Sequence, residues 1–107
     1  MLRIGEVWLD VLRRLRVVIE QVERHDADLG RQLRRSGASV ALNIAEGSGA
    51  RGKNRGARYA IALGEARETL TCLQVAHAFG YVASIDVAVL GGIDHTIGTL
   101  VKVIRRG

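Results

Sequence analysis

The sequence predicts an all-α fold, an antiparallel up-down-up-down four-helix bundle forming a single domain over residues 1–107. Three observations carry that prediction. The chain contains no proline, the residue that most often punctuates strand and loop folds, because it fixes φ and lacks a backbone donor. Four segments repeat apolar residues at intervals of three and four, each bounded by glycine or a capping residue. The connectors between them are short, which makes neighbouring helices antiparallel. A hydrophobic content of 48% excludes a disordered chain. Aromatic residues are limited to Trp8, Tyr59, Phe79 and Tyr81, so the core has to be aliphatic.

The first helix is predicted from about Gly5 to Arg24, on the stripe Val7, Trp8, Val11, Leu12, Leu15, Val18, Ile19 and Val22. Leu9 and Val17 fall outside that stripe. His25-Asp26-Ala27-Asp28 forms the turn, and either Asp26 or Asp28 can cap the next helix. The second helix is predicted from about Asp28 to Glu46, on Leu29, Leu33, Val40 and Ile44, with the small Ser36 and Gly37 between them. The glycine-rich segment that begins at Gly47 then ends it.

The third helix runs from near Asn54 to Phe79, with Tyr59, Leu63, Ala66, Leu70, Leu73 and Ala76 facing inward and Gly80 as the stop. Ser84 is the predicted cap of the fourth helix, with Asp86 in its first turn, where the helix dipole favours an anion. That helix reaches about Arg105, and Lys102, Arg105 and Arg106 suit its negative end. Gly91-Gly92 inside it marks either a kink or the close approach of a neighbouring backbone. Its apolar residues cover a wider arc than the ~100° stripe a single core-facing surface needs. Such surplus apolar surface points to contact with another subunit.

Charge is unevenly distributed. Between residues 31 and 58 stand Arg31, Arg34, Arg35, Arg51, Lys53, Arg55 and Arg58, against the single acid Glu46. That quarter of the chain outweighs the whole net charge of +5. Such asymmetry implies a polyanionic partner. Arginine suits phosphate because it presents a fork of donors and stays charged. These seven residues are therefore the candidate nucleic-acid contacts, provided the loop after the second helix folds back so that both groups share one edge of the bundle. The bland alternative is a solvated surface whose arginines pair with Glu20, Glu23 or Asp28. So few aromatics argue against base stacking as the means of recognition.

The residues exclude several other chemistries. Residues 47–54, Gly-Ser-Gly-Ala-Arg-Gly-Lys-Asn, almost match the phosphate-loop pattern. Asn54, however, stands where a magnesium-binding hydroxyl is required, and a helix rather than a strand precedes the segment. A milder role survives, in which the glycine amides, Arg51, Lys53 and the start of the third helix receive a backbone phosphate. His25, His77 and His95 do not complete Glu-x-x-His, since Val22, Gln74 and Gly92 stand three residues before them. Neither a metal site nor a cofactor is expected, and no residue set suggests catalysis. Asn43 and Glu46, three apart beside the apolar face, read as a structural polar network that fixes helix register. Cys72 reads as a packed thiol. A lone cysteine suits a reducing compartment. The N-terminus is unlike a signal peptide, and no uncharged run approaches the ~20 residues that span a bilayer. A cytoplasmic protein with no membrane partner is the expectation.

The segment Gln32-Leu33-Arg34-Arg35, then Ser39-Val40, then Asn43-Ile44-Ala45-Glu46-Gly47 resembles a bacterial four-helix-bundle family. A second match lies at Tyr59, Ala62, Gly64, Glu68, Leu73, Ala76 and Gly80-Tyr81-Val82. The family includes the intervening-sequence proteins encoded within large-subunit ribosomal RNA genes and the accessory variability determinant of diversity-generating retroelements. The resemblance implies a homopentameric, barrel-like ring with a positive surface. For the retroelement branch it implies a platform for nucleic acid and a reverse transcriptase. Taken together, the expectation is a non-enzymatic, oligomeric bundle that binds structured RNA or an RNA–DNA intermediate. The alternative is an adaptor whose basic face docks an acidic protein.

Overall fold

The structure, a computed structural model, describes residues 3–106. It consists of α1 (Arg3–His25), α2 (Ala27–Gly49), α3 (Lys53–Ala78) and α4 (Val87–Arg106), with no strand among the described residues. Each helix packs on the next, and α4 closes the bundle against α1. The α2–α3 interface is the most extensive. Ion pairs fix the antiparallel sense: Arg34 of α2 meets Glu23 near the end of α1, and Arg58 near the start of α3 meets Glu46 near the end of α2. The four-helix bundle predicted from periodicity is the fold observed.

Capping chemistry sets the first boundary. Asp26 alone separates α1 from α2, and its carboxylate accepts from the Leu29 amide at 3.0 Å. It thereby satisfies one of the orphan donors of the first turn. Two other boundaries differ from expectation. The second helix does not stop at Glu46 but continues through Gly47 to Gly49. A side chain at Gly47 would strike the ring of Tyr59, so this glycine serves close packing rather than termination. The reversal falls instead at Gly52, whose φ of 59° lies in the left-handed region. At α4 the cap is not Ser84 but Asp86, whose carboxylate accepts from the Ala88 amide at 2.8 Å.

The core follows the predicted stripe on α1, with Trp8, Val11, Leu15, Ile19 and Val22 buried. Trp8 donates from Nε1 to the Gly37 carbonyl oxygen at 2.8 Å, pinning α1 to the middle of α2. On α3 the inward face is rotated slightly from prediction. Ala62, Thr69 and Cys72 are buried beside Tyr59, Ala66, Leu73 and Ala76, while Leu63 and Leu70 are half-buried. Leu29 of α2 is likewise half-buried. The reason is the tight α2–α3 approach, where small side chains let the helices close together and bulkier ones move to the edge. The buried Ser36 and Thr69 hydroxyls meet at 2.9 Å across that seam, and each lies within hydrogen-bond reach of a carbonyl of its own helix, that of Leu33 and of Glu65.

Neither reading of Gly91-Gly92 holds as stated: the helix is not interrupted there, and what approaches closely is a side chain rather than a backbone. A Cβ on Gly92 would strike the Val11 side chain, whereas Gly91 faces open space. The helix around them is uninterrupted. Val89, Ile93, Thr96 and Leu100 face the core. By length and mean hydropathy (1.5) α4 is long and apolar enough to cross a bilayer, because only Asp94 and Lys102 interrupt its first 16 residues. Within the bundle, however, it packs as an amphipathic member against α1 and α3.

Candidate nucleic-acid interface

The seven predicted contact residues do not share one edge. Arg31, Arg34 and Arg35 sit in the first half of α2, while Arg51, Lys53, Arg55 and Arg58 sit at the far end of that helix. From Arg35 to Gly49 the chain climbs fourteen residues, about 21 Å at 1.5 Å per residue. The connection is only residues 50–52 and cannot fold back across that distance.

The two groups also differ electrostatically. All three α2 arginines are engaged by carboxylates of their own chain. Arg31 meets Asp28 at 2.9 Å and Arg34 meets Glu23 at 2.9 Å. Arg35 bridges Glu65 at 2.7 Å and also Glu68. Hydrogen bonds to those two carboxylates, and then their charge, raise the Arg35 guanidinium above its ordinary value. One cation between two carboxylates is a poor receptor for a third anion.

The loop group is freer. Among the described residues, Arg51 and Lys53 have no carboxylate partner, and Arg55 donates only to the Ala50 carbonyl, at 3.2 Å. Arg58 pairs with Glu46 at 3.0 Å. The up-down-up-down path brings further cations to this end. The close of α4 lies beside the start of α3, with Gly52, Arg55, Val103 and Arg106 lining one shallow hollow. Arg3, in the first turn of α1, belongs to the same end. The bundle end thus gathers Arg3, Arg51, Lys53, Arg55, Arg58, Lys102, Arg105 and Arg106, against only Glu6 and Glu46. The remainder of the molecule carries eight cations and nine carboxylates, from totals of 16 and 11. The bundle is 42 Å long, several Debye lengths at physiological salt, so the positive end acts as a separate field.

Lys102, Arg105 and Arg106 were assigned in the sequence only to the dipole of their own helix. Topology was the signal that could have placed them in the interface, since the fourth helix of such a bundle must end where the third begins.

The predicted polar pair is not a buried network. Asn43 is half-buried and donates to the Ser39 carbonyl at 2.9 Å, while Glu46 is exposed and meets Arg58. The two are not hydrogen-bonded to each other. The buried polar pair of side chains between helices is Ser36–Thr69, which the apolar pattern had concealed. Cys72 is buried, and burial pushes its thiol up, with the Glu68 charge adding to the effect. Among the described residues no three His, Cys, Asp or Glu side chains converge as metal ligands would.

Residues 6–101 match the family model of the 23S rRNA-intervening sequence protein. The chain belongs to that family. A solved structure agrees on the fold: a protein of unknown function from the S23 ribosomal protein family of Bacteroides thetaiotaomicron, at 1.70 Å resolution, superposes with a TM-score of 0.79. The match covers 94% of this chain and 97% of that one at 20% identity, which establishes shared architecture alone. No curated protein matches the chain. Membership of a family named for ribosomal RNA intervening sequences gives it a link to RNA genes.

Proposed function

We propose that this family member is a non-enzymatic, cytoplasmic protein that binds structured RNA or an RNA–DNA intermediate through the basic end of its bundle. The observation that carries the reading is the charge partition: eight cations and two carboxylates at one end, near-neutrality elsewhere. Arg51, Lys53 and Arg55 are the central contacts, with Lys102, Arg105, Arg106 and Arg3 extending the surface. Arg58 contributes after exchanging Glu46 for a phosphate. Arg34 and Arg35 hold the α1–α2 and α2–α3 seams through Glu23, Glu65 and Glu68, Arg31 pairs with Asp28 within α2, and all three lie outside the contact. The interaction is with phosphate and tolerates sequence variation.

The protein works as an oligomer, a homopentameric ring in the form the family resemblance implies, so that several basic ends act on one phosphodiester chain. In the retroelement form of the reading the ring also holds a reverse transcriptase. Copurification with the product of a neighbouring reverse transcriptase gene would support that form.

Fluorescence anisotropy with a labelled RNA hairpin and a matching RNA–DNA hybrid tests the reading. Between about 50 and 200 mM salt the affinity should fall steeply, because each neutralised phosphate releases counterions. Replacing Arg51, Lys53 and Arg55 together with Ala should weaken binding and flatten the salt slope by about 3 while leaving helicity intact. Absence of RNA binding at low salt, or binding indifferent to salt, would sink the proposal. The basic end would then be a dock for an acidic protein.

A further inference from the structure

On the side of the bundle away from the α3–α4 seam, α1 and α2 enclose an open groove of about 530 Å³. Its floor is apolar, built from Leu9, Leu12, Ile19 and Ala38, and Arg13, Arg16 and Arg34 rim it. Arg34 is paired with Glu23. Arg13 and Arg16 have no carboxylate partner among the described residues, and both are exposed. The span from Leu9 to Ile19 is ten residues, about 15 Å along a helix, long enough to take two or three turns of another helix. An apolar trough with free cations on its rim selects a helix that combines apolar residues with a carboxylate.

The chain itself carries such a helix. The outer face of α4 presents Val87, 83% exposed, and Leu90, 37% exposed, and one turn further on Asp94. Asp94 is exposed and, among the described residues, has no cationic partner. Gly91 lies in the same shallow surface with nothing near its missing Cβ, so a neighbouring side chain can approach the backbone closely. From Val87 to Asp94 this face extends seven residues, about 10 Å, within the length of the groove.

We infer that the outer face of α4 in one protomer occupies the α1–α2 groove of the next, with Asp94 meeting Arg13 and Arg16. The inference rests on the oligomeric part of the proposed function and specifies its contact. The groove and the α4 face belong to different sides of the same molecule, so the contact is heterologous: each protomer gives one surface and receives on the other. A closed ring of such contacts consumes both surfaces, and α4 laid along the groove keeps the bundle axes together. The basic ends of successive protomers then gather on one side of the assembly.

Charge exchange tests the pairing by light scattering coupled to gel filtration at micromolar concentrations. The unaltered protein should give a multi-subunit mass. Arg13→Glu with Arg16→Glu should reduce it to a monomer or open chains, and so should Asp94→Lys, with far-ultraviolet circular dichroism unchanged in both. The two sets combined in one chain should restore the larger mass, which a loss through misfolding would not do. A monomeric unaltered protein, an assembly indifferent to these charges, or a folded combined variant that stays apart would overturn the inference. RNA anisotropy on the same variants keeps the two ideas separate. Monomers that still bind RNA in a salt-dependent way, at least tenfold more weakly, fit both. An intact assembly that ignores RNA overturns the nucleic-acid reading and leaves the pairing standing.

Discussion

Gly92→Ala is the sharpest probe of how α4 seats on the bundle. Glycine within a helix costs about 0.5–1 kcal/mol relative to alanine, so the substitution should stabilise the protein if nothing opposes it. In this structure the new methyl group meets Val11 Cγ2. Val11 is 1% exposed and β-branched, with one strongly preferred rotamer in a helix, so it has little room to turn aside. Overpacking of this kind costs about 1–3 kcal/mol. The net expectation runs from near neutrality to about 2.5 kcal/mol of destabilisation. Gly98→Ala in the same helix is the control, since nothing lies within 4 Å of its Cβ position; it should gain up to about 1 kcal/mol. Urea unfolding followed by circular dichroism gives both values. Adding Val11→Ala to Gly92→Ala should recover part of the loss as a favourable coupling energy in a double-mutant cycle. If Gly92→Ala stabilises as much as Gly98→Ala, the close approach of α4 to α1 is wrong.

Three further outcomes follow from the packing. Trp8→Phe leaves the buried Gly37 carbonyl without its indole donor and should cost about 1–3 kcal/mol in urea unfolding. Asp26→Ala removes the cap of α2 and should cost about 1 kcal/mol by the same measurement, whereas Asp26→Asn should cost much less. Cys72 should resist iodoacetamide near neutral pH until the protein is unfolded, because burial favours the thiol. The sign of its linkage is fixed by that raised value. The contribution is present below the ordinary thiol pKa of 9.0 and is lost as pH rises through the folded value. Native stability should therefore decline above about pH 9 more than in a Cys72→Ala variant.

Local periodicity made the bundle legible. The α1 stripe could be read directly because that helix has one apolar face and a charged remainder. The end of α2 was misplaced because Gly47 resembles a stop, and only its neighbour across the seam, Tyr59, shows why a glycine is there. Nothing near Gly47 in sequence reports that contact. The same limit applied to the charges. Arg31 to Arg58 form one cluster when read as text, but a helix rises between the two halves and carboxylates from α1, α2 and α3 claim the first half. Conversely, Arg106 joins Arg55 across some fifty residues of sequence, a juxtaposition the predicted topology implied. Asn43 and Glu46 were read as buried because they flank apolar positions. Their placement shows that one step of about 100° around a helix separates core from solvent.

The central claim is that nucleic acid meets the basic end of the bundle and not the arginines of α2. RNA affinity of two triple variants, measured side by side at one low salt concentration, tests it most directly. Arg51, Lys53 and Arg55 replaced with Ala should lose at least tenfold in affinity. Arg31, Arg34 and Arg35 replaced with Gln should bind RNA nearly as the unaltered protein does, with any penalty appearing in stability. Equal losses in the two variants, or a larger loss from the α2 set, would contradict the account.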